Sequence, residues 1–310
     1  MAFESPILRN HTSGWNPLRL NPQFPRLRAA LVWRDGLECE NPDCRYRHSL
    51  RRFLRRSAND GVVLQGHWYC SLDCFERVVT DQFSALLKLR DEPLARGHRV
   101  PIGLLLLGRG AITGDQLKSA LAVQRDTGGG RLGRCLVDLG AISAQEVSKA
   151  LAAQWGCGVF PLEGDQRYRD CFQMLPFALL ETARMVPVHY HGGSQMLFVG
   201  FAEDIDHTAL YAVERLLGAR TEPCVVTEAA LERALGEIRG NSRPDEIVFE
   251  TLWEAEEMAR TVRDYALALG ADELLLARPR RFLWVRLRAS GRSHDILFRL
   301  PISPDHPKAS

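Results

Sequence analysis

The sequence predicts an α+β protein in four pieces: a small cysteine-clamped finger, a helical tandem-repeat bundle, a small mixed α/β subdomain and a short α+β C-terminal piece. Three observations lead there. Two short-spaced cysteine pairs, Cys39/Cys44 and Cys70/Cys74, lie early in the chain. The stretch 101–124 recurs at 131–154, sharing Gly103/Gly133, Leu106/Leu136, Gly110/Gly140, Ala111/Ala141, Ile112/Ile142, Ala120/Ala150, Leu121/Leu151, Ala122/Ala152 and Gln124/Gln154. Beyond it, short β-branched and aromatic runs alternate with amphipathic ones, which reads as mixed strands and helices.

Composition sets outer limits. The 310 residues leave room for about two or three domains. A formal net charge of +2 points to no special partner for the chain as a whole. The N-terminus shows no basic region followed by an apolar run, so no signal peptide is expected. No apolar stretch approaches the roughly 18 residues of a membrane span. The expected location is cytoplasmic, where Cys135, Cys157, Cys171 and Cys224 would be buried thiols.

Residues 1–30, rich in Pro, Asn and Arg, read as a flexible arm. Residues 31–95 form the finger. Cys39-Glu-Asn-Pro-Asp-Cys44 and Cys70-Ser-Leu-Asp-Cys74 have the spacing of a structural four-cysteine Zn²⁺ site. Four thiolates leave no open coordination position, so such a site folds a segment rather than catalyses. His48 or His67 replacing a cysteine, or two unrelated thiol pairs, are the alternatives. Between the pairs runs RYRHSLRRFLRR, with Arg45, Arg47, Arg51, Arg52, Arg55 and Arg56 and no acid. As a helix it carries a basic face, suited to nucleic acid or simply to solvent.

DEPLARGHRVP reads as a linker. In the repeat region, 98–157, each unit reads as helix, tight turn, helix. Gly110 and Gly140 are expected just past a helix end, where the backbone turns left-handed. Thr113-Gly-Asp-Gln116 and Ser143-Ala-Gln-Glu146 are capping boxes. Leu117, Leu121 and Gln124 then share one helical face, as do Val147, Leu151 and Gln154. From 158 to 240 the order is β-α-β-β-α-β-α, with a hairpin around Gly192-Gly193. Residues 246–302 hold a helix over 251–269 and strands over 273–276, 282–288 and 294–300.

The repeat pattern RLGxxLVxxGxIxxxxVxxxLxxQ resembles the MshEN-type domain at the N-terminus of type II secretion and type IV pilus assembly ATPases. The run MVPVHYHGGSQMLFVGFAEDIDHTALYAVERLLGARTEPCVV is similar to that domain's second half. The resemblance spans about residues 98–239 and implies a cyclic di-GMP site formed by both motifs. It would use Arg131, Leu132, Gly133, Val147, Leu151 and Gln154 from the second motif and Ile102, Gly103, Leu117, Leu121 and Gln124 from the first. Glycine admits backbone N–H groups to a phosphate. Arginine grips phosphate or guanine, glutamine reads a base edge, and the leucines cover a ring or simply form the bundle core. The first motif begins with Pro101 where the family has arginine, and Arg99 lies two residues too early.

The stretch HWYCSLDCFERV resembles treble-clef fingers of the TRASH and MYM kind, although their first cysteine pair is closer spaced. Residues 250–300 are similar to the segment that follows the MshEN-type domain, with its GASDIHIEP and RVRYRIDG motifs. Here Leu275, Ala277 and Ser290 stand for the motif's His, Glu and Asp, which implies a remnant element without its original role. No GxxxxGK[ST] loop and no Gly-Lys dipeptide occur, so no P-loop ATPase is expected. The reading is a non-enzymatic regulatory or adaptor protein that binds cyclic di-GMP or docks on a secretion or pilus component. The alternative is a zinc-finger nucleic-acid regulator working through Arg45–Arg56.

Overall fold

In a computed structural model, residues 39–44, 62–64, 67–89, 99–162, 168–240, 246–251, 254–271, 273–289 and 291–301 are described. The expected arm and the basic run 45–56 lie outside them. The described residues form a mixed α+β structure.

A turn carries Cys39 and Cys44. An antiparallel hairpin follows, β1 (Val62–Leu64) and β2 (His67–Tyr69), and then the helix α1 (Leu72–Lys88). Ser71 starts α1 because its hydroxyl accepts the Cys74 N–H. Phe75, Val79 and Phe83 recur at helical spacing and are buried.

The repeats fold into four helices: α2 (Ile102–Gly108), α3 (Gly114–Asp126), α4 (Leu132–Asp138) and α5 (Ala144–Trp155). The ends of α2 and α4 are the same motif. Gly110 (φ 67°) donates to the Leu107 carbonyl and Ala111 to that of Leu106; Gly140 (φ 66°) and Ala141 repeat this on Val137 and Leu136. Thr113 and Gln116 form a full capping box. Ser143 caps α5, but Glu146 turns to Lys149, 2.6 Å away, instead of returning to the cap backbone. Leu106, Ile112, Ala120, Cys135, Leu136 and Ala150 make a small separate core.

Beyond the bundle come β3 (Gly158–Val159), a helical turn α6 (Tyr168–Cys171) running into a 3-10 turn (Phe172–Met174), α7 (Phe177–Ala183), β4 (Met185–His191), β5 (Met196–Phe201), α8 (His207–Leu217), β6 (Arg220–Val225) and α9 (Glu228–Gly240). The sheet order is β3-β6-β5-β4, parallel except for the β4–β5 hairpin. The helices over it close the largest core, from Leu179 and Val186 to Leu231.

The C-terminal piece adds β7 (Glu246–Phe249), α10 (Ala255–Leu269), β8 (Glu273–Ala277), β9 (Phe282–Ala289) and β10 (Arg292–Arg299) in the order β7-β10-β9-β8. Strand β7, parallel to β10, has no counterpart in the sequence reading. Strand β9 is buried on both faces, and its side chains alternate between two cores. Leu283, Val285 and Leu287 meet α10 and the finger's Phe75, Val79 and Phe83. Phe282 and Trp284 meet the mixed subdomain. The finger is thus part of one side of this sheet: α1 packs along α10, and Phe83 sits edge-on to Phe298 with ring centroids 6.1 Å apart.

On the other side lies a buried charge pair. The Arg286 Nε and Nη2 groups donate to the two Asp295 oxygens at 2.7 and 2.8 Å, and Trp284 Nε1 donates to Asp295 at 2.8 Å. Arg286 also donates to the Met174 carbonyl, which ties the sheet to the 3-10 turn. Both residues are almost wholly buried, and the fork geometry satisfies both carboxylate oxygens. No described helix is long and apolar enough to cross a membrane.

Candidate functional site

The four finger cysteines converge although they arrive from two distant stretches. Their Sγ atoms all lie within 4.8 Å of one another. Cys44 and Cys70 are 3.5 Å apart, and Cys70 and Cys74 3.7 Å. A tetrahedral tetrathiolate around zinc, with Zn–S of about 2.3 Å, has S···S edges of about 3.8 Å. The cluster therefore matches the ion in size as well as in donor type. Burial raises the Cys39 thiol pKa. Burial raises Cys70 too, and its contacts with Cys44 and Cys74 add to this. Burial opposes ionisation of Cys74 as well, but hydrogen bonds from Asn41 and Ser71 bring its pKa below the ordinary value. Four adjacent sulfurs resist becoming thiolates together unless a cation sits among them. His67 lies beside Glu40 at 3.5 Å and is not in the converging group, which is made of the four cysteines.

The second site is a cleft of about 800 Å³ where the repeat bundle faces the mixed subdomain. Its bundle wall includes Arg131, Leu132, Gly133, Val147, Leu151 and Gln154 from the second motif, with Ile102 and Gln124 from the first. Gly103, Leu117 and Leu121 do not line it. The opposite wall, which the motif reading did not include, is acidic: Glu203 and Asp204 follow β5, and Glu228 and Glu232 sit on the first turns of α9. Arg131 forms an ion pair with Glu203, and Arg134 reaches Glu228 at 3.1 Å. Burial lowers the Arg131 pKa, and Asp204 and Glu228 oppose this without reversing it. Arg99 takes no part in the cleft. Burial pushes the Cys157 thiol up, Glu222 adds to this and Arg99 opposes it, which places Arg99 near Cys157 instead.

The bundle has a pseudo-two-fold relation that shows in its hydrogen bonds. Gln124 Nε2 donates to the Gly130 carbonyl at 2.5 Å, and Gln154 Nε2 to the Val100 carbonyl at 2.6 Å. Each glutamine closes its own repeat and latches the residue just before the other motif. The motif glycines sit where helices touch. A Cβ on Gly133 would lie 2.8 Å from Val147 Cγ1, and one on Gly103 2.8 Å from Leu132 and 2.9 Å from Leu117. Helix packing alone therefore favours glycine at both positions, since a Cβ would have to push the Leu or Val methyl aside.

A helical tandem repeat that shares a cleft with a small α/β subdomain is the class this fold and site define. No family model matches the chain. The chain is 28% identical over 134 residues, 43% of its length, to the type IV pilus assembly ATPase PilB of Thermus thermophilus, and it spans 15% of that protein. Among solved structures it is similar to MshE with cdg at 26% identity, covering 45% of this chain and 99% of that one, with a TM-score of 0.38. It is also similar to the N-terminal domain of XpsE at 21% identity, covering 44% and 91%, with a TM-score of 0.31. The chain thus contains a region similar to part of a type IV pilus assembly ATPase.

Proposed function

We propose that this chain is a non-enzymatic, cytoplasmic regulatory adaptor of the secretion and pilus class. In this reading its Arg131 cleft receives cyclic di-GMP, its finger holds a structural Zn²⁺, and the bundle docks on a component of the apparatus. One observation carries the nucleotide reading: the second motif, arginine included, opens as a unit onto a cleft of the size of a small ligand.

The chemistry divides the cleft. Arg131 is half exposed and paired with the largely buried Glu203; a phosphodiester oxygen of the ligand, which carries a single negative charge like the carboxylate, competes for the free side of the guanidinium fork. Leu132, Val147 and Leu151 offer an apolar floor to a flat base. The carboxylates of the opposite wall accept from the N–H groups of a guanine edge and repel a second phosphate. Pro101 removes the partner arginine, so one charge-assisted contact is lost, a penalty of about 1.5–3 kcal/mol or roughly ten- to a hundred-fold in affinity.

Calorimetric titration of the full chain with cyclic di-GMP is expected to give micromolar binding that Arg131→Ala weakens at least tenfold. No heat at high micromolar ligand, or an unchanged affinity in Arg131→Ala, sinks the nucleotide reading. For the finger, elemental analysis is expected to find about one zinc per chain; metal-free protein that keeps its fold under reducing conditions overturns that part.

A further inference from the structure

A ligand with two phosphates calls for a second cation beside Arg131, and the first motif does not supply it. Pro101 stands in the first repeat where Arg131 stands in the second, and Leu104 where Arg134 stands. Arg99 lies toward Cys157 and is not among the residues lining the cleft. The second repeat itself holds the other candidate. Arg134 follows Arg131 by three residues, at a position the repeat pattern leaves variable. Among the described lining residues these two arginines are the cations, and they stand against five carboxylates: Asp138, Glu203, Asp204, Glu228 and Glu232. In so acidic a cleft, an anionic ligand held by Arg131 alone meets mostly repulsion.

The geometry leaves Arg134 able to take a ligand. Its Nη1 group donates to Glu228 on α9 at 3.1 Å, across the cleft. Its Nε lies 3.6 Å from Asp138, a charge contact too long for a hydrogen bond. A guanidinium has five N–H groups in a fixed fork, and no described residue takes those of Arg134 Nη2. The side chain is 60% exposed. Glu232 is already paired with Arg184 at 2.7 Å and makes no described ion pair with Arg134. The carboxylates of the opposite wall also decide where phosphate can lie. They turn it toward the bundle side, and both arginines start from that side, Arg131 just before α4 and Arg134 within it. The two phosphodiesters of cyclic di-GMP belong to one small ring, so each guanidinium can meet one of them in charge-assisted hydrogen bonds.

We infer that Arg134 is the second phosphate-binding residue of the cleft and supplies, from the second repeat, the cation that Pro101 denies to the first. The ligand is then held by two arginines of one repeat instead of one from each. The inference rests on the nucleotide reading above. It adds a binding residue to that reading and a selectivity: dinucleotides with two phosphodiesters over those with one.

The test titrates the full chain by calorimetry with cyclic di-GMP and with the linear dinucleotide GpG, which has both guanines but a single phosphodiester. The parent chain is expected to bind cyclic di-GMP at least tenfold tighter than GpG. Arg134→Ala should weaken cyclic di-GMP at least tenfold and GpG less than threefold, so that the preference is largely lost. Added salt should weaken cyclic di-GMP more in the parent than in Arg134→Ala, which has one ion contact fewer to screen. Equal weakening of the two ligands overturns the inference, because Arg134 then acts only as a bridge to Glu228. Binding that Arg131→Ala weakens and Arg134→Ala leaves unchanged sinks this inference and keeps the nucleotide reading. A parent chain that binds neither ligand sinks both.

Discussion

Replacing Phe83 by alanine tests whether the finger is a structural part of the C-terminal sheet. Phe83 lies on α1 but is fully buried against the opposite sheet, edge-on to Phe298, which itself stacks on Phe249 at 5.3 Å. A buried Phe→Ala change costs about 3–5 kcal/mol through lost burial and the cavity left behind. A domain has only ~5–15 kcal/mol in total, so the change removes a large share. The cavity opens against β10, more than 200 residues away in sequence, and the loss should therefore register there. Hydrogen–deuterium exchange of peptides covering 282–299 reads it directly. If these amides exchange by opening of the sheet, protection should fall by roughly 150- to 5,000-fold. Leu136→Ala, in the separate bundle core, serves as the comparison and should leave this exchange much less affected. Unchanged protection of β9 and β10 in Phe83→Ala would falsify the shared core and make the finger an independent attachment.

Two shorter predictions follow from the same packing. Gly133→Ala forces a methyl against Val147 Cγ1, and overpacking of this kind costs ~1–3 kcal/mol, partly offset by alanine's better helix propensity, worth up to about 1 kcal/mol. Adding Val147→Ala should recover stability, with a coupling of at least about 0.5 kcal/mol in urea denaturation; strictly additive effects would show that Gly133 is not there for helix contact. Burial pushes the Cys224 thiol up to about 12, with Cys157 and Glu222 adding to it, so the thiol stays protonated and unreactive in the folded chain at pH 8. Iodoacetamide followed by mass spectrometry should label Cys224 only after denaturation, and labelling of the folded protein refutes that environment.

Much of the architecture is legible in single stretches of sequence, because it depends on backbone chemistry that acts over a few residues. Gly110 and Gly140 mark helix ends since the chain there must turn left-handed, and Thr113 and Ser143 mark helix starts since their hydroxyls satisfy free N–H groups. The short spacing of Cys39/Cys44 and of Cys70/Cys74 marks two thiol pairs, and the fold brings all four sulfurs together where they could hold a metal ion. Capping already departs from the local pattern at Glu146, whose carboxylate pairs with Lys149 instead of returning to the cap backbone.

The glutamines show where local reading stops. Gln124 finds Gly130 only six residues on, but the partner of Gln154, Val100, lies 54 residues away and follows only once the repeats pack together. The acidic wall of the cleft, Glu203 with Glu228 and Glu232, belongs to elements whose own sequence gives no sign of facing a motif. The same holds for Arg286 and Asp295, which look like surface charges on a strand until β9 and β10 are sandwiched between two cores. The α+β class, the repeat and the cysteine set can be read along the chain, for these follow from local geometry and periodicity. That the finger helix closes the C-terminal sheet, and that Arg131 faces carboxylates, emerges only from the folded arrangement. Those outcomes depend on which surfaces meet, and long-range burial and charge pairing, rather than any neighbouring residue, select the partners.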